Sequence, residues 1–109
     1  EDTAIRAYRW VISGRVQGVG CRWFVLRAAQ HVGVTGWAHN LWDGRVEVTG
    51  QGTLTMLHDF EKELHKGPPL GNVEKIKKIE VTSDIDRIIA KLSTDKANPR
   101  DLINLSSFT

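Results

Sequence analysis

Ser13-Gly14-Arg15-Val16-Gln17-Gly18-Val19-Gly20-Cys21-Arg22 places two glycines and a guanidinium where an apolar strand-like run meets a helix-like run. Gly18 and Gly20 can take positive φ and carry no side-chain bulk. A turn of this kind gathers backbone N–H groups around a concave point. The helix that follows adds the amides of its first turn and the positive end of its dipole. Arg22 stands at the edge with a planar fork of donors. Together these groups suit a doubly charged phosphate. Gln17, Gly18, Val19, Gly20 and Cys21 are the candidate N–H donors, and Arg22 is the candidate side-chain ligand. Seen alone, the two glycines shape a tight turn as readily as a binding loop.

Other reactive residues carry less. Cys21 invites a phosphocysteine mechanism, but such sites set the arginine several residues beyond the thiolate, and here Arg22 is adjacent. Cys21 therefore reads as a small buried hydrophobe. His31, His39, His58 and His65 show no metal-ligand spacing. His39 neighbours Asn40, but adjacent strand residues point to opposite faces, so His39 is expected at the surface. Trp10, Trp23, Trp37 and Trp42 read as core or rim, with Trp42 a candidate flank for a substrate. Glu74, Lys75, Lys77 and Lys78 read as a solvated edge strand.

The elements that must position the loop follow from periodicity. Tyr8, Trp10 and Ile12 alternate with Arg9, Val11 and Ser13, a first strand. Residues 21–32 read as a helix with Val25, Ala28, Ala29 and Val32 on one stripe, stopped by Gly33. Residues 34–40 give a second strand, Asp43-Gly44 a hairpin turn, and residues 45–49 a third strand. Thr53 caps a second helix whose stripe is Leu54, Leu57, Phe60 and Leu64. Gly67-Pro68-Pro69 ends it. Residues 73–82 form a fourth strand in which Ile76 is out of phase, which calls for a bulge or a later start. Beyond Ser83 the pattern loosens: a short helix over residues 85–92, a turn at Asn98-Pro99, and the start of a fifth strand over 105–109. The order strand, helix, strand, strand, helix, strand predicts a ferredoxin-like βαββαβ sandwich of the α+β class, an antiparallel sheet with two helices on one face.

Residues 14–22, taken with Gly36-Trp37-Ala38-His39-Asn40-Leu41-Trp42-Asp43-Gly44, closely resemble the acylphosphatases. The likeness runs from about residue 8 to 82. It implies that the loop backbone and Arg22 hold phosphate and that Asn40 holds an attacking water. It implies hydrolysis of the carboxyl–phosphate bond of acyl phosphates, with inorganic phosphate as product and inhibitor. Cys21 stands where phenylalanine is commoner, Leu41 where some members carry threonine, and residues 83–107 exceed the usual link to the last strand. The chemistry is coherent on its own terms. The leaving carboxylate needs little acid help, so catalysis reduces to neutralising charge at phosphorus and placing water. Neither task needs a metal or a cofactor.

The whole chain fits this reading. Its 109 residues suit one domain, with a core over about 8–82 and an irregular segment over 83–109. The net charge of +2 is too small to argue for nucleic acid. One cysteine forms no internal disulfide, no run reaches membrane-spanning length, and the acidic start is unlike a signal peptide. A cytoplasmic monomer is expected, with the missing initiator Met pointing to processing or trimming. Two alternatives stand beside the free hydrolase. One is a carbamoyl-phosphate-handling module of a larger maturation enzyme, for which a fragment ending near Phe108 would be apt. The other is a non-enzymatic ferredoxin-like binding module. A nucleic-acid version would want stacking aromatics on central strands, and residues 45–49 have none.

Overall fold

Alternation along the first strand decides the architecture. In the computed structural model, which describes residues 4–81 and the backbone of 102–104, β1 (Arg6–Arg15) buries Trp10 and Ile12 on one face, with Tyr8 packed beside them. Then come α1 (Cys21–Val32), β2 (Thr35–Asn40), β3 (Val46–Gly52), α2 (Leu54–Lys66), β4 (Asn72–Glu80) and β5 (Leu102–Asn104). The strands form one sheet in the order β4-β1-β3-β2-β5, and every pairing is antiparallel. Both helices pack on one face. Val25, Leu26, Ala28 and Ala29 of α1 meet Leu57, Phe60 and Leu64 of α2 over Ala38, Val46 and Val48 of the sheet. This is the expected βαββαβ sandwich with a short extra strand.

Local signals act where the sequence places them. Gly33 ends α1 in the left-handed region, its N–H bonded to Ala29 O at 2.8 Å. Thr53 caps α2, accepting from the Met56 N–H at 3.3 Å. Leu54, at the first position of α2, is largely exposed, so the buried stripe begins at Leu57. Trp10 and Phe60 meet edge to face at 5.3 Å, a contact adding about 0.5–1.5 kcal/mol beyond its buried area. The Trp10 indole N–H donates to Glu61 Oε1 at 2.9 Å, and the same oxygen takes Lys78 at 3.3 Å. Burial alone would raise the Glu61 carboxyl, but these two donors outweigh it and hold it below its ordinary value.

The awkward phase of Ile76 has a physical cause. Lys75 pairs with Ser13 and Val73 with Gly14, so Glu74 is the extra residue of a bulge. The bulge brings Val73 and Ile76, three apart, onto the same core-facing side. Ile79, three further on with no bulge between, pairs with Arg9 on the other face. β4 is an edge strand, as its lysines suggest, although Lys78 also lies 4.5 Å over the Tyr8 ring.

One expectation needs correction. His39 is not at the surface: it is 1% exposed, beside Glu47 at 4%. It does point away from Asn40, but on the sheet face opposite α1 and α2 its neighbours Val11, Glu47 and Thr49 are buried as well. There His39 Nε2 lies 3.4 Å from Glu47 Oε1 and Arg9 Nη1 3.7 Å from Glu47 Oε2. Both imidazole nitrogens, Arg9 Nε, Trp37 Nε1 and Thr49 Oγ1 have no hydrogen-bond partner among the described residues. A short strand, β5, is found at Leu102–Asn104, just ahead of the stretch expected to begin one, and pairs antiparallel with β2. Three residues are too few to show alternation in sequence. The helix over 85–92, the Asn98-Pro99 turn and residues 105–109 lie outside the described residues.

Candidate active site

β1 and β2 both run antiparallel to β3, so they are parallel to each other and their C-terminal ends share one edge of the sheet. β4 begins at that edge, Asn72 pairing with Arg15. The glycine loop leaves β1 there, and Asn40 closes β2 there. Asn40 alternates with the buried Ala38 and pairs with Val46, which turns it to the face on which α1 packs. The topology therefore delivers the two candidate motifs to one end and one face of the molecule.

The loop is pinned at alternate points. Val16 is buried, Val19 packs against the core, and Cys21 is buried. Gly18 and Gly20 lie exposed between these anchors, with φ of 74° and 78°. Beyond the adjoining residues, no atom lies within 4 Å of a Cβ placed at either glycine. Glycine is required there by backbone conformation, not by crowding. Gly71 is the opposite case. A Cβ there would come within 2.7 Å of Arg15 O and 3.0 Å of Val19 Cγ2, so the turn before β4 can lie directly against the loop.

Gly20 is also the N-cap of α1 and offers no side-chain cap. The helical ladder opens with the Phe24 N–H bonded to Gly20 O at 2.9 Å. The amides of Cys21, Arg22 and Trp23 precede it, and the first turn holds no acidic residue. Arg22, half-buried, is the charged side chain of that turn. A helix N-terminus with free amides and no acidic residue favours an anion. The Cys21 thiol is pushed up to about 11 by burial, against a smaller opposing pull from Arg22. At neutral pH it is a protonated thiol, a poor nucleophile.

The β2–β3 turn is stiff. Leu41 N–H bonds Arg45 O at 2.8 Å, and Gly44 N–H bonds Leu41 O at 3.2 Å. The Asp43 carboxylate takes the Arg45 N–H at 3.1 Å and its guanidinium at 2.8 and 2.7 Å. Those hydrogen bonds hold the Asp43 carboxyl below its usual value and raise Arg45. Trp42, at the tip, is 94% exposed. The Gln17 side chain ties the loop to this turn, donating to Leu41 O at 2.7 Å and to Arg45 O at 3.0 Å. Sequence reasoning credits Gln17 only with its backbone N–H. No local spacing marks the partners of a side chain that reaches across 24 and 28 residues.

Comparison with known proteins agrees with the fold. The sequence model of the Acylphosphatase family matches residues 8–93. An acylphosphatase of Koribacter versatilis is 50% identical over 68 residues, 62% of this chain and 62% of that protein. One of Bacillus licheniformis is 42% identical over 79 residues, 72% of this chain and 87% of its own length. The crystal structure of the Bacillus subtilis acylphosphatase superposes with a TM-score of 0.69 at 38% identity, covering 73% of this chain and 88% of that one. Full-length HypF, solved in a phosphate- and nucleotide-bound form, superposes with a TM-score of 0.67 at 28% identity over 77% of this chain but only 11% of its own. The chain belongs to the acylphosphatase family, hydrolases of the carboxyl–phosphate bond.

Proposed function

We propose that the β1–α1 loop holds the phosphoryl group of an acyl phosphate while Asn40 holds the water that attacks phosphorus. The observation that carries this reading is the convergence of the αL glycine loop, the α1 N-terminus and the end of β2 at one edge of the sheet. The N–H groups of Gln17, Gly18, Val19, Gly20 and Cys21 surround the phosphoryl oxygens, and the Arg22 guanidinium pairs with two of them. As water attacks, the bond from phosphorus to the bridging oxygen breaks and the acyl group leaves as carboxylate. That group is stable as an anion, so it needs no strong acid. The Asn40 carboxamide accepts a hydrogen bond from the water and fixes its line of approach. Charge spread over the equatorial oxygens in the transition state is met by donors already in place. Cys21 takes no part, since its thiol is protonated and buried.

The finer expectations accompany this reading. Inorganic phosphate is a product and a competitive inhibitor, and the chain acts as a monomer in the cytoplasm. A buried free thiol agrees with a reducing compartment. Among the described residues, no helix is long and apolar enough to cross a membrane. The test is phosphate release from a small acyl phosphate such as benzoyl phosphate, with inorganic phosphate titrated in. Turnover with competitive inhibition is expected. No release, or purely noncompetitive inhibition, would defeat the assignment. A second reading, a carbamoyl-phosphate-handling module of a larger maturation enzyme, draws on the likeness to HypF. A strong preference for carbamoyl phosphate over other acyl phosphates in the same assay would favour it.

A further inference from the structure

One side chain joins the two halves of the site. Asn40 pairs with Val46 as the last rung of the β2–β3 ladder. The next two residues inward, Leu41 and Arg45, close the turn through the Leu41 N–H and Arg45 O. The Gln17 carboxamide sits across this closure and donates to the carbonyls of both residues, at 2.7 and 3.0 Å. Its orientation is fixed by chemistry. Both partners are carbonyl oxygens, so only the NH₂ end can face them, and both of its hydrogens are used. Gln17 is half-buried, and Val16 before it is buried in the core. The root of this brace is therefore as fixed as its tip.

We propose that Gln17 is a positioning residue for the reaction, its side chain setting the separation between the phosphate loop and Asn40. This rests on the reading of Arg22 and Asn40 given above. The loop defines where phosphorus sits, and the end of β2 defines where the water sits. In-line attack needs those two points at a fixed distance and angle, and an error of about 1 Å can cost about a hundredfold in rate. The Asp43–Arg45 clamp stiffens the turn internally but does not reach the loop. The side-chain hydrogen bonds of Gln17 make that bridge. The contribution of Gln17 is thus spent on turnover, while the loop alone retains phosphate affinity.

Two variants test this in the full chain. Gln17→Met keeps the volume and the backbone N–H but removes both donors. It should lower kcat about tenfold or more, with the inhibition constant for inorganic phosphate within about twofold of wild type. Gln17→Glu places a carboxylate against two carbonyl oxygens and should be at least as impaired at pH 7. When protonated, that carboxyl can donate one of the two lost bonds, so its kcat relative to wild type at the same pH should rise between pH 7 and pH 5. A residue that only stabilised the fold would give neither the kcat-specific loss nor the recovery in acid. A folded Gln17→Met variant with wild-type kcat overturns the proposal, as does an equal loss of kcat and phosphate affinity. If Gln17→Met fails to fold, the pH profile of Gln17→Glu decides alone, a flat ratio counting against the proposal. Full activity in Arg22→Ala and Asn40→Ala would instead overturn the site on which it rests.

Discussion

Arg22 and Asn40 divide the work, and their variants should fail differently. Arg22→Ala removes a charge-assisted donor from the phosphoryl group in both ground and transition states. It should cost about 2–4 kcal/mol in kcat/KM and also weaken inhibition by phosphate. Arg22→Lys should recover little, because an ammonium is a point charge and cannot replace the planar fork. Steady-state kinetics with phosphate as inhibitor checks both, and unchanged constants in Arg22→Ala would remove it from the site. Asn40→Ala should lower kcat by roughly two orders of magnitude while phosphate inhibition stays near wild type. A misplaced water is felt mainly in the transition state. Loss of phosphate binding in a folded Asn40→Ala variant would mean that Asn40 shapes the cradle instead.

At the scale of elements, the glycine loop shows which features a sequence makes legible. Gly18, Gly20, the α1 stripe, Gly33, Thr53 and the Asp43-Gly44 turn are local signals, each acting within a few residues, and the structure follows them. The Gln17 brace and the fate of His39 are not local. One depends on which strand ends share an edge, the other on whether a sheet face is covered. Alternation told which side His39 takes and nothing about its solvent. Ile76 lies between these cases, since its phase betrayed a bulge without placing it at Glu74. For Gly20 the open space around the missing Cβ gives a specific expectation. Gly20→Ala should destabilise by about 1–2 kcal/mol through backbone conformation alone. Gly20→Asn should cost less, because asparagine tolerates the left-handed region. Denaturant midpoints compare the two, and equal losses would point to an unseen steric clash.

At the scale of the whole molecule, the buried His39–Glu47 pair links stability to pH. Burial lowers the His39 value below its ordinary 6.5, against a partial upward pull from Glu47. The folded state then binds a proton less readily than the unfolded chain. Stability from this group is complete above about pH 6.5 and falls as pH drops toward the lowered folded value, with a slope of at most about 1.4 kcal/mol per pH unit. Urea unfolding between pH 7.5 and 5 should show this loss, and His39→Asn should flatten it. An unaltered slope in His39→Asn would assign the acid sensitivity to other groups. Glu61 acts lower on the scale. Its depressed value stabilises above its ordinary 4.5 and is lost as pH falls through the folded value.

The sheet order has a kinetic consequence as well. β1 lies between β3 and β4, and its pairing with β4 joins residues as distant as Tyr8 and Glu80, 72 positions apart. No hairpin can nucleate that pairing, because even its nearest rung, Arg15 with Asn72, closes a loop across 57 positions. The entropy of that closure is lost before any contact repays it. Refolding should accordingly be measured in milliseconds to seconds by stopped-flow dilution from urea, and a microsecond phase carrying the full amplitude would contradict the pairing. The arrangement that gathers the loop and Asn40 at one edge therefore makes the newly made chain wait for β4 before the strand that carries the loop has both its neighbours.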